Sequence, residues 1–148
     1  MRVAVAGGTG LAGRHVVGEL RAAGHEPVVL ARSNGVDVTT GQGLAEALAG
    51  VEAVIDVTNA ATLSRRKAVA FFEAASRHLL AAGERAGVRH HVVLSIVGIE
   101  RVGHGYYQGR SARSRSWRAA RSRGRCCGRR SSTSSPTSSS TACPARWR

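Results

Sequence analysis

The chain has 148 residues, enough for one domain with one modest core. Its formal charge of +13 suggests nucleic acid until it is divided along the chain: residues 1–109 hold eleven Arg and Lys against nine Asp and Glu, whereas residues 110–148 hold eleven Arg and no acid. No apolar run approaches the length of a bilayer and no leader-like stretch precedes the first apolar run, so a cytoplasmic protein without a membrane partner is expected.

The first thirteen residues organise the rest. Arg2 to Ala6 is a short apolar run that reads as a strand. It breaks into Gly7-Gly8-Thr9-Gly10-Leu11-Ala12-Gly13, and a helical pattern follows at once. At such a turn the three spaced glycines have separate jobs. Gly7 permits the tight turn, Gly10 lets backbone approach a pyrophosphate, and Gly13 lets the helix pack close to the strand. The helix also points unpaired N–H groups and its positive dipole end at that place, which suits phosphate. The plain alternative is a glycine-rich turn with no ligand.

Leu11 to Ala23 reads as the first helix, with Leu11, Val16, Val17 and Leu20 on one stripe and Gly24 as its stop. Pro27 to Ala31 is a nearly continuous apolar strand, of the kind a parallel sheet buries on both faces. Next come a short Val36–Val38 segment, a helix from about Gln42 to Leu48, and a strand from Ala53 to Val57. Ser64 is placed to cap a long helix reaching about Ala82, and His91 to Val97 reads as the fourth strand. The order β-α-β-α-β-α-β with short connections predicts parallel strands and right-handed crossovers. The fold class is therefore α/β: a Rossmann-type doubly wound parallel sheet over residues 1–109, truncated after about four strands. Stopping there leaves apolar surface bare on the side of the fourth strand.

After Gln108 the composition breaks. Residues 110–148 carry eleven Arg and eleven Ser, all three cysteines (Cys126, Cys127, Cys143) and almost no aliphatic residue beyond Ala. The cysteines match no zinc spacing. A stretch such as Ser131 to Ser135 cannot bury enough surface to offset chain entropy, so a disordered tail is one reading. A basic arm for nucleic acid, held by phosphate contacts, is a weaker one. A third is translation out of frame. One GC-rich choice of codons for Lys-Val-Gly-Gln-Glu yields Arg110 to Ser114 once a base is lost, and one choice for Gln-Phe-His-Glu-Phe, read one base later, yields Ser131 to Ser135.

The run Val3 to Gly13 resembles the opening of the atypical short-chain dehydrogenase/reductases, in particular their NmrA-like, NAD(P)H-binding branch. Gly35 to Thr39, Ala53 to Val57, and Leu94 to Ile99 through Gly105-Tyr106-Tyr107 are similar in order. The likeness covers about residues 2–109. It implies a cofactor site built from Gly7, Gly8, Thr9, Gly10, Leu11, Ala12 and Gly13, with Thr58-Asn59-Ala60 as a small-residue loop beside the ribose and pyrophosphate. It also implies that Asp37 and Val38 meet the adenine ring, though Asp37 also reads as a turn former. Arg32 and Ser33 stand at the end of the second strand, where an acid would bind the ribose of NAD. An arginine there suits the 2′-phosphate, so NADP(H) is the expected cofactor and NAD(H) the alternative; the plain reading is a surface arginine.

By the same resemblance Ser95 and Tyr106 are the catalytic candidates, the serine steadying a substrate carbonyl and the tyrosine moving a proton. The related enzymes place a lysine four residues after the tyrosine, and here that position is Arg110. Each has a plain reading too, Ser95 as a buried hydroxyl and Tyr106 as a packing residue. The implied function is hydride transfer between NADP(H) and a small carbonyl or quinone-like substrate. The alternative is a non-catalytic NAD(P)H-binding redox sensor. None of the six histidines has metal-ligand spacing, and all read as surface or turn residues. Arg65-Arg66-Lys67 reads as a solvated face.

Overall fold

The computed structural model describes residues 1–62, 64–96 and 105–122. Among these residues four strands and four helices alternate: β1 (Arg2–Ala6), α1 (Leu11–Ala22), β2 (Glu26–Leu30), α2 (Leu44–Ala47), β3 (Ala53–Asp56), α3 (Arg65–Arg85), β4 (His90–Val93) and α4 (Gly105–Ser122). A single 3-10 turn, Arg32–Asn34, follows β2. The sheet order is β2-β1-β3-β4 and every pairing is parallel, with Val5 beside both Val29 and Ile55, and Asp56 beside Val93. The expected Rossmann-type sheet is present, with β1 and β3 at its centre.

Alternation along the strands separates two faces. On one, Ala4, Ala6, Leu30 and Val54 pack with Leu44, Leu48, Leu79, Ala82 and Val88, which puts α2 and α3 on that side. On the other, Val5 and Ile55 meet Val16, Val17 and Leu20 of α1. Among the described residues the second face carries α1 alone, where the first carries α2 and α3 with α4 packed against α3. Val92, Leu94 and Ile96, at and beyond the end of β4, stay exposed at 52%, 42% and 39%, and this is the bare apolar surface expected on the fourth strand's side.

Three expectations need correcting. Strand β2 is only half-buried over Pro27 to Val29, because it lies at the sheet edge beneath a helix of one turn. Strand β4 ends at Val93, so residues 94–96 are already coil, and the rest of that expected strand and most of the loop before Tyr106 lie outside the described residues. The Arg/Ser-rich segment is helical from its start at 110 to Ser122. Tertiary packing outweighs its composition there: a Cβ on Gly109 would stand 2.8–2.9 Å from Ala68, so α4 crosses α3 at near backbone contact. Residues 123–148, including the three cysteines and the Ser131 to Ser135 run, lie outside the described residues.

Candidate dinucleotide site

Because the strands are parallel, the segments after β1, β2, β3 and β4 all leave the same edge of the sheet, where ligands of open α/β sheets collect. The segment after β1 is the tightest. Gly7 has φ +80°, and a Cβ there would lie 3.0 Å from the backbone of Thr58. Its N–H donates to the Leu30 carbonyl, so the turn sits between the ends of β2 and β3. Gly10 is the N-cap of α1 and has no side chain to satisfy the first amides of the helix. Among the described residues a Cβ on Gly10 would meet only the Gly7 carbonyl, at 3.3 Å, so they leave the space in front of the helix open. Leu11, at 76% exposed, lies on this open rim.

Gly13 is the most constrained. A Cβ there would fall 2.1 Å from the Gly7 carbonyl oxygen and 2.6 Å from the Gly8 Cα. Helix α1 therefore sits directly on the turn that precedes it. Gly13→Ala is expected to cost about 3 kcal/mol, the upper part of the range for overpacking. Urea unfolding measures it, and a loss below about 0.5 kcal/mol would mean that the approach is not this close.

After β2, Arg32 and Ser33 are exposed, and Asn34 ties the turn back by donating from Nδ2 to the Val29 carbonyl at 3.2 Å. The segment then folds on itself. Asp37 Oδ1 accepts from the Thr39 N–H at 2.7 Å and from the Thr39 hydroxyl at 2.6 Å. These bonds, the hydroxyl first, hold the carboxyl below its ordinary value, and Arg32 adds a smaller attraction. One carboxylate oxygen of Asp37 thus forms the turn. Val38 is partly buried against the core.

After β3 the chain buries a charged group. Asp56 is fully buried, and its Oδ1 accepts from the Thr58 N–H at 2.9 Å and hydroxyl at 2.6 Å. Arg113 of α4, 1% exposed, reaches the same place. Its Nη1 donates to the Thr58 carbonyl at 3.1 Å and lies 3.5 Å from Asp56 Oδ1, and its Nη2 donates to the Leu94 carbonyl. One guanidinium joins the ends of β3 and β4 and fixes the Thr58 backbone that abuts Gly7. Thr58 and Ala60 are buried and Asn59 is exposed. Asp56 and Arg113 were missed in the sequence; an acid inside the apolar run Ala53 to Val57 was the available signal.

Ser95 is exposed, not buried, and its hydroxyl lies 3.3 Å from that of Ser114 on α4. Tyr106 lies in the first turn of α4, and the expectation for its phenol falls outside the described side chains. Arg110 is buried, with its guanidinium 5.9 Å from the Phe72 ring centre on α3.

Two of the histidines, His91 and His78, depart from expectation; His15 is exposed as expected, and His104 lies outside the described residues. His91 is buried, its ring 4.9 Å from that of Trp117 and pressed on Gly83, whose missing side chain leaves the room. Burial pushes its pKa down to about 4, with His90 adding a little. His78 is partly buried and bonds the Val38 carbonyl. Both turn inward because α3 and β4 present them to packed neighbours, which strand or helix periodicity does not reveal for a residue of mixed polarity. Arg65, Arg66 and Lys67 are exposed, as expected, and no metal-binding cluster exists among the described residues.

Residues 3–99 match the family model described as "NAD dependent epimerase/dehydratase family". The chain belongs to that family. Solved structures with the same fold include MoeE5 in complex with UDP-glucose and NAD, 22% identical with a TM-score of 0.72, covering 85% of this chain and 51% of that one. The UDP-N-acetylglucosamine 4-epimerase of Bacillus cereus is 23% identical with a TM-score of 0.73, over 86% of this chain and 56% of that one. The Citrobacter sp. triphenylmethane reductase complexed with NADP(H) is 20% identical with a TM-score of 0.64, over 82% and 46%. The chain spans about half the length of these proteins. Comparison with curated protein sequences finds no match. Among the described residues no helix is long and apolar enough to cross a membrane.

Proposed function

We propose that this chain binds NADP(H) at the carboxyl edge of its sheet, in the manner of the NmrA-like reductases, as the cofactor domain of a cytoplasmic oxidoreductase. The observation that carries the reading is the turn at Gly7, Gly10 and Gly13: three positions without Cβ, an uncapped helix start, and open space before it. Backbone amides of residues 10–13 hold the pyrophosphate, Thr58 to Ala60 line the ribose side, and Val38 packs against adenine. Arg32, exposed after β2, selects the 2′-phosphate over the bare ribose. When bound, a reduced nicotinamide supplies hydride to the carbon of a carbonyl or quinone-like substrate. Ser95 donates a hydrogen bond to the substrate oxygen, and Tyr106 gives that oxygen its proton.

A ligand that binds only the folded form raises its stability, by about 2.7 kcal/mol at a hundredfold excess over Kd. NADPH is therefore expected to raise the melting temperature at lower concentration than NADH does. A melting temperature unmoved by either overturns the reading.

A second reading, a non-catalytic redox sensor, is favoured by Arg110. It stands where the related enzymes carry lysine, and its guanidinium faces Phe72. An arginine also does not exchange a proton as lysine does. Cofactor binding without NADPH consumption against a carbonyl and quinone panel supports the sensor.

We infer further that the reading frame changes at codon 110, which makes residues 110–148 an out-of-frame segment. Buried polar atoms without a partner among the described residues include Asp56 Oδ2, Ser76 Oγ, His91 Nδ1 and Trp117 Nε1. Asp56 and His91 lie on the sheet face that α3 and α4 cover. Ser76 lies along α3 between Phe72, which faces Arg113, and Gly83, which faces His91. Unmet polar groups concentrated under one helix suit a seat shaped for other side chains. The genetic code adds support. Tryptophan has the single codon TGG, so the frame one base earlier reads NTG at position 117, which is Leu, Met or Val in every case. The same shift allows a lysine codon at 110. Sequencing the gene across codon 110, with the intact mass of the protein, tests it; an unbroken frame ends the inference.

A further inference from the structure

We propose that His78 is a positioning residue for the adenosine half of the ligand, holding the segment 36–43 against α3; this rests on the dinucleotide reading above. The segment is a compact loop. Val36 is buried, the Asp37 N–H donates to the Gln42 carbonyl at 3.0 Å, and the Gly41 N–H donates to the Asp37 carbonyl at 2.8 Å. Left-handed glycines at 35, 41 and 43 bend it, and a Cβ on Gly43 would fall 2.5 Å from the Gly35 carbonyl oxygen. Those bonds shape the loop but do not attach it to the domain.

His78 supplies an attachment. Its Nδ1 lies 3.2 Å from the Val38 carbonyl oxygen. A carbonyl only accepts, so Nδ1 carries the proton and donates, which sets the tautomer of the neutral ring. The imidazole also lies under Gly41, whose Cβ position is 3.5 Å from Cγ and 3.6 Å from Cδ2. That is ordinary van der Waals contact, so the ring packs directly beneath the turn, and φ +85° is what favours glycine at 41. The bond falls on Val38 itself, the residue assigned to the adenine face, and the packing falls three residues later. One side chain of α3 thereby adds a polar tie to a loop whose Val36 and Val38 pack on the core.

Isothermal titration with ADP, and separately with reduced nicotinamide mononucleotide, tests this on the full chain. His78→Phe keeps packing against Gly41 and removes the donor; His78→Asn keeps a donor near the Nδ1 position. The phenylalanine variant is expected to lose about three- to tenfold in ADP affinity, the size of one hydrogen bond, and nothing for the mononucleotide. The asparagine variant stays near the unsubstituted chain. Amide exchange at Asp37 and Gly41 should quicken in the phenylalanine variant alone. Equal ADP affinity in all three proteins, or equal losses for both ligands, overturns the role of His78. An unsubstituted chain that binds neither ADP nor NADPH overturns the dinucleotide reading instead. Should His78→Phe fail to fold, His78→Leu takes its place in the same comparison.

Discussion

Arg113→Ala is expected to destabilise the protein by about 3–5 kcal/mol, because it leaves the buried Asp56 carboxylate without its cation. It also removes the donors to the Thr58 and Leu94 carbonyls at the ends of β3 and β4. Domains of this size have about 5–15 kcal/mol in total, so the variant stands near the edge of folding. A second effect separates this pair from an ordinary surface contact. With both charges removed, as in Asp56→Leu with Arg113→Met, much of the loss should return, since neither ion then needs solvation in the interior. Urea denaturation of the two single variants and the double variant measures the coupling. A loss under about 1 kcal/mol for Arg113→Ala would mean that the pair behaves as an exposed one. Because Thr58 abuts Gly7, nucleotide affinity in the surviving folded fraction should fall as well.

Acid should act through His91. Its pKa is held near 4 in the folded protein by burial beside Trp117, against an ordinary value of 6.5 in the unfolded chain. Below pH 6.5 the unfolded chain takes up a proton that the folded one refuses. The stability from the neutral ring is thus complete above pH 6.5 and is lost as pH falls toward 4, by about 3 kcal/mol over that window. Asp37 adds a separate loss at lower pH, since its depressed pKa places its contribution above 3.8 and removes it on further acidification. His91→Phe keeps an aromatic ring against Trp117 and cannot take up the proton. Its unfolding free energy should change much less between pH 6.5 and 4, while Asp37 continues to act beneath. Parallel pH profiles for the two proteins would show that His91 is hydrated in the fold.

The two expectations concern the same region, the seat of α4, and that region was the least legible in the sequence. Residues 110–122 have the composition of a solvated segment, and nothing in their spacing marks an amphipathic helix. They become helical on α3 because Gly109 lets the two backbones approach Ala68 and because Arg113 finds acceptors at the strand ends. Those acceptors, the Thr58 and Leu94 carbonyls, lie 55 and 19 positions away, which no local pattern reports. His91 and His78 were misread for a related reason. Imidazole is apolar enough to be buried and polar enough to stay in water, so its place follows from the neighbours. For His91 these are Gly83 and Trp117, and for His78 the Val38 carbonyl.

What the amino-acid order determined alone is the parallel α/β plan and the turn at its heart. Apolar runs of strand length alternating with helical stretches leave little other choice of topology, and the glycine spacing marks the turn; a side chain is excluded at Gly7 by its left-handed φ and at Gly13 where the helix rests on backbone oxygen. Only the folded chain decided which polar groups are enclosed: the Asp56 and Arg113 pair, the His91 ring, and the tie from His78 to the loop after β2. Enclosure depends on which elements meet. Those meetings are set by packing across long sequence separations, where a polar residue keeps its place only if a partner is waiting.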